Sequence, residues 1–334
     1  MFPRLFALAV MLLAGLPAVA AAACRGENIV ARMPAAQREA LIGATLAHPY
    51  AEGNLWLASR GEERVVLVGT YHFDDPRFAP IFARLAPVVE SAARVLVEAG
   101  PEEQAALEAD LTSRPELTFR LTGPTLPERM AEADWQTLAR AMEERGFPPF
   151  LTAKMQPWYV GVMLGIPPCA MQEMARGKTN GLDSRIMDLA TREGIEIRAL
   201  EPYDTLFTLF DGVSEADQLE MIRMTLAMDV DPQDNAATMA DAYFEERARL
   251  IWELSRLQAL AADDRPDAEV AAEIDAMEEA LIRRRNRNWL PVIEAAAREG
   301  GLTVAAFGAL HLSGEEGVLA LLARAGFTVE RLPF

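Results

Sequence analysis

The chain has 334 residues, 51% of them hydrophobic, with 5 Trp, 14 Phe and 15 Met. This apolar content excludes global disorder and is enough for one large core or two ordinary ones. Against 50 Asp and Glu stand 32 Lys and Arg, a formal net charge of −18, so the phosphate neutralisation that supplies most nucleic-acid affinity is missing and no nucleic-acid partner is expected.

The chain opens with Arg4, an apolar run over 5–16, and small residues offering cleavage at Ala18-x-Ala20 or Ala21-x-Ala23. This reads as a secretory signal peptide, residues 1–23, which directs the protein to the periplasm or the medium and takes no part in the fold. The apolar run is shorter than the ~20 residues a membrane span needs, Pro17 follows it, and no later stretch is long enough. Cleavage removes Arg4 and no acid, so the mature balance is 31 minus 50, or −19. Two cysteines remain, Cys24 and Cys169. In an oxidising compartment they are expected to pair. The alternative is a lipid on Cys24, although Ala21-Ala22-Ala23 lacks the bulky apolar residue expected upstream of such a site.

Helical spacing is expected over 34–47. Two short apolar runs, Leu55 to Ala58 and Val65 to Val68, flank a polar, glycine-containing stretch and predict a hairpin. Asp75-Pro76 predicts a capped helix start running to about Ala93. Val95-Leu96-Val97 then makes a buried strand ending at Glu98. Strand, helix and strand over 65–98 predict parallel strands, with the Glu98 strand beside the one that feeds His72. The middle, about 101–300, is mostly helical, interrupted by a strand over 195–200 that follows a helix over 182–193. A last long helix is expected from about 268 past Trp289, either continuous or restarting at Pro291. The C-terminus returns to a strand over 303–307, a helix over 314–325 with Ser313 and Glu316 as a capping box, and a strand over 327–332. The expected fold is therefore a single α/β domain over 24–334. Strand-helix-strand units at its two ends build a mixed sheet, and a large helical insertion separates them.

Both ends carry the same device. Gly69-Thr70-Tyr71-His72 and Gly308-Ala309-Leu310-His311 each follow an apolar strand, and the chain has only one other histidine, His48. Ligands of open α/β sheets sit at the carboxyl ends of the strands, where both motifs fall. Imidazole there is a metal ligand or a proton carrier. His48, beside Pro49, reads as an ordinary loop residue. Glu98, ending an apolar strand, is either a functional acid or a cap for the segment starting at Pro101. Two imidazoles and a carboxylate can hold a divalent ion and leave room for water, a hydrolytic nucleophile at neutral pH. No His-Glu-x-x-His occurs, so a zincin-type site is excluded. At about 100° per residue, Ile274, Met277, Glu278, Leu281, Arg285, Trp289 and Val292 share one stripe, with Arg283, Arg284 and Arg287 off it. Arg285 amid that apolar stripe needs either a substrate oxyanion or a structural acid as partner.

These residues resemble the TraB/GumN family, relatives of the Tiki proteases among erythromycin-esterase-like and ChaN-like proteins. The resemblance is carried by Gly69 to His72, Glu98 after Val95-Leu96-Val97, Gly181-Leu182-Asp183, Leu200-Glu201, Arg285-Asn286 with Trp289, and Gly308 to His311 followed by Gly314 and Gly317. It spans about residues 54–334. It implies a mixed α/β fold and a metal-dependent hydrolase site at His72, Glu98, Arg285 and His311, with a peptide or protein substrate from the Tiki branch. The expected cofactor is a divalent ion, whether manganese, cobalt or zinc, held by His72, His311 and Glu98, with Arg285 stabilising the oxyanion. Two alternatives remain: a metal-independent esterase-like hydrolase on the same residues, and a haem- or metal-binding protein without turnover.

Overall fold

A computed structural model describes residues 24, 26–175, 180–210, 213–228, 230–263 and 265–334; the expected signal peptide lies outside them. The hairpin forms as β1 (Leu55–Arg60) and β2 (Glu63–Thr70), antiparallel, with Arg60 opposite Glu63 across a tight turn. Strands β3 (Arg94–Val97), β4 (Glu196–Ala199), β5 (Leu302–Gly308) and β6 (Thr328–Arg331) complete one six-stranded sheet in the order β4-β3-β5-β2-β1-β6. Four neighbours, β4, β3, β5 and β2, run parallel, while β1 is antiparallel to both β2 and β6. The fold is thus mixed α/β; the two ends supply five of the strands, as expected, and the helical middle adds the edge strand β4.

The alternation of the strands divides the core into two layers. Val66, Val68, Val95, Val97, Val304 and Ala306 face the Phe78–Glu90 and Leu182–Glu193 helices. Val65, Leu67, Leu96, Ala305 and Phe307 face the Arg284–Arg298 and Val318–Arg324 helices. Burial on both sides explains why these strands read as continuous apolar runs rather than as alternating ones. A separate core built on Trp135, Leu138, Met142, Met155 and Val160 lies in the helical middle. No helix among the described residues is long and apolar enough to cross a membrane.

Three expectations are corrected. The Glu98 strand does not lie beside the strand that feeds His72: β5 pairs with both and separates them. The crossover from β2 to β3 skips one position, and the C-terminal strand fills it. The helix after His72 begins at Phe78 rather than at Pro76, because Asp75 Oδ1 takes the Arg77 backbone N–H at 2.9 Å and folds 75–77 into a turn. The Ser313–Glu316 capping box does not form. The helix starts at Val318, the Ser313 hydroxyl has no partner, and the Glu316 carboxylate is taken by Arg287. Gly317 lies so close to the Leu312 and Ser313 carbonyls that a Cβ there would meet them at 2.4 Å, which fixes a loop where a helical turn was expected.

Candidate active site

The parallel strands end on one rim. Thr70 of β2 pairs with Gly308 of β5, and Val97 of β3 pairs with Ala306 of β5 and Ala199 of β4. The residues just past these ends, His72, Glu98, Glu201 and His311, therefore emerge at the carboxyl edge, as the topology demands. Gly308 is their meeting point. A Cβ built there would lie 3.4 Å from Glu98 Oε1, 3.6 Å from His311 Cδ2 and 3.9 Å from His72 Nε2. The two imidazoles, 239 positions apart in the chain, thus converge over one sheet rim.

Glu98 is fixed from two sides, with Oε1 accepting the Gly308 backbone N–H at 2.7 Å and Oε2 accepting Arg285 Nη2 at 2.6 Å. Arg285 also donates Nε and Nη2 to Glu201, at 2.9 and 2.5 Å, in a bidentate pair. Trp289 Nε1 donates to the same Glu201 at 2.9 Å, and the guanidinium stacks on the Trp289 ring at 4.8 Å. Arg285 therefore has the structural acids that its place on an apolar stripe called for. Its long contacts, both 3.3 Å, come from Nη1, to Leu281 O and to His311 Nε2.

The histidines are oriented by different partners. His311 is 4% exposed, its ring 4.4 Å from that of Trp289. Its Nδ1 lies 2.6 Å from Asn286 Oδ1. Asn286 Nδ2 donates to Glu316 O at 2.8 Å, which fixes the amide and makes His311 Nδ1 the donor. His311 Nε2 therefore keeps its lone pair towards the site. His72 has 57% of its side chain exposed, and its Nδ1 lies 3.2 Å from Asp183 Oδ2. Gly181 backs it so closely that a Cβ there would meet the His72 carbonyl at 2.4 Å. Tyr243, donating to Gly69 O at 2.9 Å, holds the strand end beneath.

These surroundings set the charges. Burial favours neutral Glu98, but Arg285, His311 and His72 outweigh it and the carboxyl is pulled down to about 2. Desolvation dominates at His311 and, with Arg285 and His72 opposing Glu98, draws the ring down to about 3. Desolvation also works against charge on His72, yet the Asp183 hydrogen bond and charge, with Glu98, prevail and lift it to about 9. At neutral pH the cluster therefore holds ionised Glu98, neutral His311 and charged His72.

The donor set suits a divalent ion in kind: two imidazole nitrogens and a carboxylate around one glycine, with the other nitrogen of each ring facing an acceptor. Three carboxylates, Glu98, Glu201 and Asp183, against the single guanidinium of Arg285 leave −2 when both rings are neutral. Among the described residues no three His, Cys, Asp or Glu side chains stand together as a ready-made ion cage, and Arg285 lies across Glu98 Oε2 and His311 Nε2.

All four expected site residues come together. Sequence reasoning assigned no role to Asp183, Glu201 or Asn286, which orient His72, Arg285 and His311. Glu201 carried a weaker form of the Glu98 signal, an acid directly after buried Leu200 at the end of a half-exposed strand. Asn286 was hidden by five residues of π-helix, Glu279–Arg283, between the Asp267–Glu278 and Arg284–Arg298 helices. That insertion shifts the buried face to Ile282, Asn286, Trp289 and Ile293, out of phase with the 3.6-residue stripe. The distant thiols also meet: Cys24 and Cys169 are disulfide-bonded.

No curated protein matches the chain. A model of the TraB/PrgY/gumN family matches residues 54–331, from the start of the hairpin to the last strand, and takes in every residue of the cluster. With most of its length so matched, the chain belongs to the TraB/PrgY/gumN family.

Proposed function

We propose that the chain is an exported hydrolase that takes a divalent ion between His72 Nε2, His311 Nε2 and Glu98, with peptides as its substrates. The supporting observation is the orientation of the two imidazoles. Each turns Nδ1 to an acceptor, Asp183 or Asn286; His72 brings Nε2, and His311 the neighbouring Cδ2, to the space over Gly308, with His311 Nε2 beside Arg285 Nη1. When bound, such an ion acidifies water and polarises a scissile carbonyl. Glu98, held near 2, stays ionised and serves as a ligand rather than as a proton carrier, which needs a value near the working pH. Arg285 Nη1, the nitrogen with only long contacts, is the donor free to turn towards a developing oxyanion, while Glu201 and Trp289 hold the rest of the group still. The signal sequence and the Cys24–Cys169 bond support export.

One observation favours a second reading, hydrolysis without metal. Arg285 already places a permanent cation on Glu98 and on the lone pair of His311, and a charged His72 could then protonate the leaving group. The test is to strip the protein with chelator and assay a peptide library and an ester series, alone and with manganese, cobalt or zinc. Peptide cleavage restored by one ion and lost in His72→Ala supports the first reading. Undiminished hydrolysis after stripping supports the second. Ion or haem binding with no turnover of any substrate overturns both.

A further inference from the structure

The helical stretch that carries Arg285 and Asn286 is irregular at one place. It runs from Asp267 to Arg298, and its residues Glu279–Arg283 form a π turn. Such a turn is rare and holds about one residue more than an α-helical one. In a regular α-helix Glu278 and Asn286 would point about 80° apart; with one residue absorbed they differ by about 20°. The turn is therefore what sets Asn286 on the same face as Ile274, Glu278 and Ile282. Just beyond it, Arg285 reaches Glu98 and Asn286 reaches His311 Nδ1, while Trp289 and Ile293 are locked in the core. Any slip of the turn falls on Arg285 and Asn286.

Glu278, the last residue before the turn, is pinned from another helix. Arg249 lies buried at the start of the Ala248–Ala262 helix and donates Nη1 to Glu278 Oε1 at 2.5 Å and Nε to Glu253 Oε1 at 2.8 Å. The loop that follows His311 closes over the same guanidinium, where a Cβ on Gly314 would lie 3.9 Å from Nη1. Arg249 thus ties together the two segments that deliver Arg285 and His311 to the rim, although its own bonds go to Glu253 and Glu278. A charge-assisted bond between two largely buried partners is among the stronger and more directional side-chain contacts. We infer that Arg249 is a positioning residue for the cluster: through Glu278 it fixes the π turn, and the fixed turn holds Asn286 on His311 and Arg285 on Glu98.

Arg249 has two carboxylate partners, so a variant lacking either one still gives it a counter-charge and is expected to fold. Glu278→Ala and Glu253→Ala each remove a buried partner of Arg249, but only the first acts on the π turn. The measurement is nitrogen NMR of the His311 ring at neutral pH in the full, disulfide-bonded, ion-free chain. In the wild type Nδ1 carries the proton and Nε2 is bare, which gives two widely separated signals. Glu278→Ala should draw them together as the ring samples both tautomers, whereas Glu253→Ala should leave them apart. Glu278→Gln, whose amide oxygen still accepts from Arg249, should restore most of the separation. Glu278→Asp, one methylene short of Arg249, carries the same test should Glu278→Ala not fold. One further readout rests on the hydrolase reading: kcat of Glu278→Ala should fall about a hundredfold with KM little changed, the scale of a misplacement of about 1 Å. A wild type without hydrolysis would count against that reading and leave the NMR comparison intact. Wild-type His311 signals in the folded Glu278 variant overturn the inference. So does an equal change in Glu253→Ala, or a Glu278→Gln no better than Glu278→Ala, since either would make the effect a general loosening.

Discussion

The two Gly-x-x-His loops leave adjacent parallel strands at the same height, yet their imidazoles occupy opposite surroundings. His72 opens to solvent and faces a carboxylate, whereas His311 is sealed beneath Trp289 and faces an amide. The first is lifted to about 9 and the second drawn down to about 3. A repeated motif thus supplies two imidazoles at one rim, and the partner of each Nδ1, together with its burial, decides which carries a proton. Arg285 belongs to both halves, bonded to Glu98 and set against His311 Nε2.

Removing that shared cation should have the largest effect on stability. Arg285→Met leaves Glu98 and Glu201, both largely buried, without their counter-charge and should cost about 3 kcal/mol in urea unfolding, the lower end for breaking a buried pair. Adding Glu201→Leu should recover part of the loss, because one orphaned carboxylate is then gone. A cost below about 1 kcal/mol would reduce the cluster to a surface pair and remove the basis for contrasting its two halves.

The histidines should separate when each is truncated. His311→Ala empties an aromatic site and strands Asn286 Oδ1, at a cost of about 2–3 kcal/mol. His72→Ala, measured well above pH 9 where the ring is neutral, should cost no more than about 0.5 kcal/mol, as an exposed side chain does. Both variants should lose hydrolysis by about a hundredfold or more under the proposed function. Equal stability losses would mean that the two loops are not the unlike environments described here.

Asp183→Asn tests the cause of the difference. The His72 ring, followed by NMR, should titrate about 1–2 units lower once the paired charge is gone, while His311 stays neutral to near pH 3. A His72 value that does not move would shift the credit to Glu98, the other acid raising it.

What could be read without coordinates follows the same division. The central strands β2, β3 and β5 were legible because both faces are buried, and the 182–193 helix because Gly181 and Gly194 bracket a clean amphipathic period. His72, Glu98 and His311 were legible because a polar residue directly after an apolar strand has one place to go. The partners that tune them were not. Asp183, Glu201 and Asn286 act across 111, 84 and 25 positions, and helical period misplaces Asn286 once a π turn intervenes. The sheet order was misread for a related reason: the gap between β2 and β3 is filled by a strand more than 200 residues downstream. Local pattern reports what a residue buries, whereas its protonation depends on what arrives from elsewhere.

A further difference is expected in the pH dependence of stability in ion-free protein, and its sign differs for each group. Glu98 is held below its ordinary range, so its contribution is present above pH ~4.3 and fades as pH falls towards about 2. His311 is also lowered, but it is a base. The unfolded chain takes up a proton below pH ~6.5 that the folded chain refuses until about 3, so stability drains across that interval by at most about 1.4 kcal/mol per pH unit. His72 is raised, so its contribution is complete below pH ~6.5 and is lost as pH climbs through about 9; solvent exposure keeps it small. His311→Gln should therefore flatten the acid limb between pH 6.5 and 3 while leaving the alkaline limb alone, and His72→Gln should do the reverse, more weakly. An acid limb as steep in His311→Gln as in the wild type would mean that the buried ring accepts its proton readily, and Asn286 would then be facing an imidazolium rather than fixing a neutral tautomer.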